Sequence, residues 1–368
     1  METTKVNSNI TQPPINILTN PVNKLTTSVI LQKAKKRKEK AKPILANVIT
    51  PYAAFEQGCE EAIANFIKLG TESKEKVPLL QGPQQKTVET KIIETLLKSL
   101  LTNYNSVKFV QNGDKYVAHF KGKTFDLVNT LQKANFNHMS FSNKELASYK
   151  SLLDTGVLEE QPILNGYRPT ATDFNNADPD GRYQALSYGE KAAINIYTGS
   201  AFIAMNSLLR GNIQSMAGFN PTALNKNVKE NLLHIAIAVH GLNKIPDYVP
   251  SGLAGVPPKY VYRSEGEIPE QVLAKRKWSV MQGGQVSWEM GFISTAHQSP
   301  TFLNFGTKQG ILFKNLKGKY IAPLSRFTGE REVLFPPTQV QWKYQKEIVV
   351  DGFRKMNLFI AKPVTVPV

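Results

Sequence analysis

The sequence predicts an α+β fold in which helices come first and strands follow, and three observations carry that prediction. Apolar residues recur at three- and four-residue spacing over Ala62–Leu69, Val88–Leu101 and near Val228–Gly241, the period of an amphipathic helix. After Lys259 the chain turns strand-like, with β-branched and aromatic residues between Gly and Pro breaks. No GxGxxG and no Walker loop occurs, so a dinucleotide would not sit in a doubly wound fold, and helices followed by strands indicate α+β rather than alternating α/β.

At 368 residues the chain is long enough for two cores, since one hydrophobic core seldom grows past about 250 residues. Residues 1–48 read as a flexible polar tail followed by a basic, helix-prone segment that ends at Pro43. Residues 49–165 read as a smaller, mainly helical α+β domain. Its one hairpin, between Val107 and Phe120, turns around Asn112-Gly113, because Gly tolerates positive φ. The Pro-, Asn- and Asp-rich stretch 162–181 has linker composition, which places the second domain at 166–368. That domain opens with a capping box: Ser187 accepts from the amide of Glu190, whose carboxylate reaches back. Gly211 stops the following helix.

With 41% hydrophobic and 20% charged residues, the bulk is ordinary globular protein. The net charge of +16 invites a nucleic-acid reading, but its distribution argues against specific nucleic-acid recognition. Lys33–Lys42 alone holds seven basic residues against one Glu. That segment is a candidate contact for an anionic membrane, helped by Val29, Ile30 and Leu31, or for a partner protein. The polar, Thr- and Asn-rich start lacks the apolar core of a Sec signal, and no run approaches the roughly 18 apolar residues of a bilayer span. Cys59, the one cysteine, permits no intramolecular disulfide and reads as a small buried hydrophobe. Trp278, Trp288 and Trp342 read as core or sheet-packing residues, and His297 as structural.

The chemistry gathers in the last third. Arg263 follows Val261 and Tyr262 on an expected strand, where its planar fork suits a pyrophosphate. Ser294 and Thr295 follow Phe292 and Ile293 on another, where a hydroxyl can hold a glutamate. Glu330 and Glu332, two apart on an expected strand, would share one face about 6–7 Å apart, with Arg331 pointing away. A carboxylate there can stabilise the positive charge that builds on a sugar when its glycosidic bond breaks, and a second can orient the nucleophile.

In order and in surrounding text these residues resemble the mono-ADP-ribosyltransferases of the arginine-serine-glutamate class, the bacterial toxins and injected effectors. The family's aromatic-Arg, Ser-Thr-Ser and (Glu or Gln)-x-Glu motifs correspond to Tyr262-Arg263, Ser294-Thr295-Ala296 and Glu330-Arg331-Glu332, and the resemblance spans about 185–345. It implies a split, mixed β-sandwich with flanking helices, and NAD as substrate with no metal. By the resemblance, Glu332 is the catalytic glutamate that bonds the ribose 2′-hydroxyl, Ser294 positions it, and Arg263 binds the NAD phosphates. Glu330 orients the acceptor, and its being Glu rather than Gln implies arginine on a host protein. Thr295 belongs to the same NAD-binding set. Tyr197, Phe202 and Asn206 match the helical segment that covers NAD; Phe305 matches the aromatic that packs on nicotinamide, and Lys308 a basic residue of that loop. The chain departs from the pattern at Ala296, where the third serine is missing, at Phe202, where Tyr is frequent, and at Ser264 after the arginine. The resemblance further implies an effector secreted into host cells without a Sec signal, with residues 49–165 free for target binding or regulation. Two other readings stay open: an NAD glycohydrolase with water as acceptor, and a basic binding protein without catalysis.

Overall fold

The computed structural model describes residues 51–68, 86–158, 169–213, 223–248, 260–282, 286–289, 291–297, 306, 308–314, 318–350 and 354–364. The tail 1–48 with its basic segment, and Phe305, lie outside them. All described residues fall in one unit, Thr50–Val368.

The helical layer is built around α8 (Leu224–Leu242), which is buried along almost its whole length and so must be enclosed on every side. Against it pack α2 (Val88–Thr102), α4 (Asn143–Asp154), α6 (Tyr188–Ile196) and α7 (Phe202–Leu209). Between α2 and α4 lie α3 (Leu127–Lys133) and a three-stranded antiparallel sheet, β1 (Val107–Asn112), β2 (Lys115–Phe120) and β3 (Lys123–Asp126). A short α5 (Ala171–Asn176) precedes α6. The hairpin forms as expected, one residue displaced: Asn112 pairs with Lys115, so Gly113, at φ 59°, and Asp114 make the turn. One buried cluster contains Leu96 and Leu100 of α2, Tyr149 of α4, Ile194 of α6 and Leu232 of α8. The core therefore runs without a break past the boundary expected near residue 166; part of the expected linker, 159–168, lies outside the described residues.

The capping box at Ser187 is present: Glu190 N donates to Ser187 Oγ, and Ser187 N donates to the Glu190 carboxylate at 2.7 Å. Fully buried Glu190 also meets His240 Nδ1 and Lys244 Nζ, each at 2.7 Å, so its charge is paired inside the core. Gly211, at φ 74°, follows Arg210, the residue that caps the C-terminal end of α7, as expected. The Tyr188–Leu209 stretch is long and apolar enough to cross a membrane by length and composition, but 72% of its most apolar 18-residue window is buried inside the protein.

The second layer is an eight-stranded sheet in the order β5-β10-β11-β7-β4-β6-β9-β8. Its strands are β4 (Tyr260–Glu265), β5 (Val286–Glu289), β6 (Ile293–Ala296), β7 (Gln309–Lys314), β8 (Lys319–Tyr320), β9 (Glu332–Phe335), β10 (Thr338–Val350) and β11 (Arg354–Val364). β7 and β11 run parallel and the other neighbours antiparallel. β4 shares six residue pairs with β7 but one, Tyr262 with Ala296, with β6. At that single pair the sheet opens, which gives the split, mixed arrangement expected from the sequence.

Side chains alternate across each strand, so the sheet has two faces to cover. On one, α1 (Pro51–Lys68) packs Cys59, Ile63 and Phe66 against Ile348, Leu358 and Ile360. The other carries Val261, Ile311, Phe313, Trp342 and Phe359 under α9 (Glu270–Met281), which adds Leu273 and Val280. Cys59 and Trp342 are buried as expected. Trp278 is not: it is 47% exposed, because α9 turns Arg276 and Ser279 inward instead. Of Trp288 only the strand position, on β5, is described.

Candidate active site

The candidate catalytic residues of β4, β6 and β9 lie where the sheet opens. Along β6 and β9 the alternation sends Ile293, Val333 and Phe335 to the core beneath α9, and Phe292 and Leu334 to the helical layer. Ser294 and Glu332 share parity with Phe292 and Leu334, so they face the helices. In the antiparallel register Ser294 lies opposite Leu334 and Ala296 opposite Glu332, which makes Ser294 and Glu332 diagonal neighbours on one face, within side-chain reach. Ser294 hydrogen-bonds the Glu332 carboxyl. Directly across from Glu332 stands Ala296, so a methyl group occupies the place where a third motif serine would offer another hydroxyl.

Glu332 is buried, with 4% of its surface exposed. Burial pushes its pKa up to about 7; the Ser294 hydrogen bond and Arg263 pull against that, and Glu330 adds to it. This is a carboxyl poised to change charge near neutral pH, a common property of catalytic groups.

Glu330 departs from the expected geometry. It ends a 3₁₀ turn, Thr328–Glu330, and Arg331 follows in the left-handed region at φ 48°, ψ 47°, before β9 begins at Glu332. The two carboxylates are therefore not alternate residues of one strand. Arg331 N donates to Thr328 O and His297 N donates to Arg331 O at 3.1 Å, so the reversal is fixed on both sides. Glu330 stays close enough to raise the pKa of Glu332, while its own is raised by partial burial.

Arg263 reaches the same place from β4. Its Nη1 donates to the Ser294 carbonyl at 2.9 Å and its Nε to Glu265 Oε1 at 2.8 Å. About a quarter of its side chain (27%) stays exposed.

The helices supply the opposite wall. Between α6 and α7 the chain makes a π turn, Tyr197–Ala201, with Gly199 at a non-helical ψ of −146°; such turns recur at functional sites. Tyr197 is buried with its ring centroid 4.6 Å from that of Phe292. Burial first, and then the charge of Glu332, pushes its hydroxyl pKa up, and Arg263 and Arg210 act in the opposite sense. Asn206 accepts from Phe292 N at 2.8 Å and donates to the Tyr197 hydroxyl at 3.4 Å, so it ties α7 to the start of β6. The turn before Glu330 is fastened to α6 and to the π turn that follows it. Arg326 N donates to Thr198 Oγ1, Arg326 Nε to Asn195 Oδ1 at 3.1 Å, and Asn195 Nδ2 to Leu324 O at 2.9 Å.

The structure thus brings together Arg263, Ser294, Glu330, Glu332, Tyr197 and Asn206. Thr295 points the other way: it is buried and donates to Val333 O at 2.6 Å, clasping β6 to β9. Phe202 is 46% exposed on α7, and Lys308 is an exposed residue with Nζ 3.8 Å from Glu267. Sequence reasoning passed over Glu265, Arg276, Asn195 and Arg326. Glu265 alone carried a signal, being two residues after Arg263 on a strand and so on its face. His297, given no role, pairs with the Tyr248 hydroxyl beside Tyr320.

The profile of the ADP-ribosyltransferase exoenzyme family matches residues 171–358, just over half of the chain. No curated protein sequence matches. Among solved structures, the Vis toxin of Vibrio splendidus is 19% identical, over 54% of this chain and 88% of that one, at a TM-score of 0.36. HopU1 of Pseudomonas syringae is 14% identical over 59% and 87%, at 0.40. Exoenzyme S of Pseudomonas aeruginosa is 15% identical over 58% and 88%, at 0.37. With its α+β architecture, the chain belongs to the ADP-ribosyltransferase exoenzyme family, bacterial toxin and effector enzymes that draw ADP-ribose from NAD.

Proposed function

We propose that this protein transfers ADP-ribose from NAD to an arginine side chain of a host protein. The observation that carries the reading is the convergence of Arg263, Ser294 and Glu332 at the opening of the sheet, with Glu330 two residues before the buried carboxyl. Arg263 suits the pyrophosphate, as a positioned planar fork with part of its surface open. Glu332, held by Ser294, faces the ribose. The bond between ribose C1′ and nicotinamide breaks with its electron pair leaving on nicotinamide, and the positive charge left on the sugar is stabilised by the Glu332 carboxylate. A guanidino nitrogen of the acceptor then bonds C1′ and gives up a proton, for which Glu330 is placed. Its raised pKa makes it a better base than an exposed carboxylate. Tyr197, Asn206, Phe202 and Lys308 remain in our NAD-binding set on the resemblance, Phe305 likewise; Thr295 supports the wall from behind. Acceptor selection we assign to the exposed part of the turn and to residues 49–165. Lys33–Lys42 we keep as an anionic-membrane or partner contact inside the host cell.

Labelled NAD and host lysate test the reading. The wild type is expected to release nicotinamide and to label protein at arginine. Glu332→Ala abolishes both reactions; Glu330→Ala spares nicotinamide release and stops protein labelling. Equal loss from both substitutions counts against the division of roles, and nicotinamide release with no labelled protein would make the enzyme a glycohydrolase.

A further inference from the structure

Arg263 is gripped on two adjacent edges, Nε by Glu265 and Nη1 by the Ser294 carbonyl, so its guanidinium plane cannot turn about the Cδ–Nε bond without breaking both contacts. Glu265 is itself held. Its second oxygen, Oε2, accepts from Arg276 Nη1 at 2.6 Å. Arg276 is buried on α9 with its guanidinium carbon 4.5 Å from the ring centroid of Trp342, a packed and desolvated setting for a cation. Burial opposes the charge on Glu265, but Arg263 and Arg276 outweigh it and hold the pKa at about 2. Two arginines thus share one permanently ionised carboxylate, and the buried one fixes where that carboxylate stands.

We propose that Glu265 is a positioning residue for NAD: anchored through Arg276 to Trp342 and the sheet core, it sets the plane in which Arg263 receives the pyrophosphate. The inference rests on the functional reading above, in which Arg263 meets the NAD phosphates. Fixing the fork beforehand removes the ordering cost that a free arginine would meet on binding. Removing the carboxylate therefore weakens NAD binding while leaving the bond-breaking groups, Glu332 and Ser294, where they are.

The test measures KM and kcat for nicotinamide release by the full chain and its Glu265→Gln variant, beside their thermal midpoints. The expected result is a KM for NAD raised about tenfold or more with kcat changed less than threefold. A neutral residue at 265 leaves Arg276 as a buried cation without its anion, which can cost enough stability to prevent folding. The double variant E265Q/R276M removes that cation too, and the same rise in KM is expected of it. An unchanged KM in a folded variant, or a fall in kcat alone, overturns the proposal while the function stands. A wild type that neither binds NAD nor releases nicotinamide overturns the function and this inference with it.

Discussion

Glu332 is a stability cost that its own substitution should reveal. In the folded protein its pKa stands at about 7, against 4.5 for the same side chain in water. Between those two values the unfolded chain has released the proton and the folded chain still holds it, so the folded state binds more protons and stability falls as pH rises. Above pH 7 the full penalty is present: at 1.36 kcal/mol for each factor of ten, burying the ionised form costs about 3 kcal/mol. Glu332→Gln keeps the shape and can still accept from Ser294, but it never ionises. Its thermal midpoint should therefore match wild type near pH 4.5 and exceed it at pH 8, by about 4–5 °C at about 2.1 cal/mol/K of unfolding entropy per residue. The assay is paired thermal unfolding across pH 4.5 to 8; groups away from the site titrate alike in both proteins, so the difference reports position 332 together with its coupling to Glu330. In the mechanism we propose, where the ionised form stabilises the sugar cation, the same group sets an acid limb, with kcat/KM falling below an apparent pKa near 7 in the wild type. A difference in midpoint that does not change with pH, or a wild type that is the more stable at pH 8, would refute the claim that Glu332 is a desolvated carboxyl.

Two packing contacts around the site yield further expectations. In Gly199→Ala the new methyl carbon would lie 2.8 Å from Arg326 Nη1 and 3.0 Å from its Cζ. Arg326 must then give up Asn195, a loss of about 1–2 kcal/mol in thermal stability together with slower nicotinamide release as the turn bearing Glu330 loosens; unchanged values of both would show that the contact is idle. Asn206→Ala leaves the buried Phe292 amide without its acceptor and should cost about 1–3 kcal/mol at pH 5 and pH 8 alike, whereas Asn206→Asp, which keeps an acceptor, should recover part of it.

The parts legible in the sequence are those set by local rules. Helix periodicity and the Ser187-x-x-Glu190 cap located α6 and α8, and strand alternation is enough to put Glu265 on the face of Arg263. The motif order located Arg263, Ser294 and Glu332, but not the β6–β9 register that makes the last two diagonal neighbours, because register is decided between strands distant in the chain. Thr295 and Ser294 carry the same functional group, and only the parity fixed by that register turns one hydroxyl to the helices and the other to Val333. Trp278 read as core on composition, yet α9 buries Arg276 and exposes the tryptophan, since the carboxylate of Glu265 lies on the inner side. The placement of α1 across β10 and β11 could not be read either: Gly58 lets the helix approach until an added Cβ would stand 2.8 Å from Ile348 Cδ1, a contact 290 residues away in sequence.

The reversal at Arg331 decides how two like charges share one site. Left-handed backbone costs an ordinary residue about 1–2 kcal/mol, and no glycine or asparagine stands there to lower it. The surroundings impose it: Ile321 N donates to Glu332 O, Arg331 N to Thr328 O, and His297 N to Arg331 O. Had the strand run straight through 330–332, both carboxyls would project from one wall about 6–7 Å apart into the same dry space. Burial would raise both pKa values, and each would further suppress the ionisation of the other. The turn instead leaves Glu330 half-buried while Glu332 goes under cover with Ser294. In the mechanism we propose, one carboxyl then serves the sugar and the other an acceptor arriving from outside. On this argument the left-handed residue, more than the Glu-x-Glu spacing, makes two acids into two different tools. The spacing without the turn would place two competing acids in one pocket.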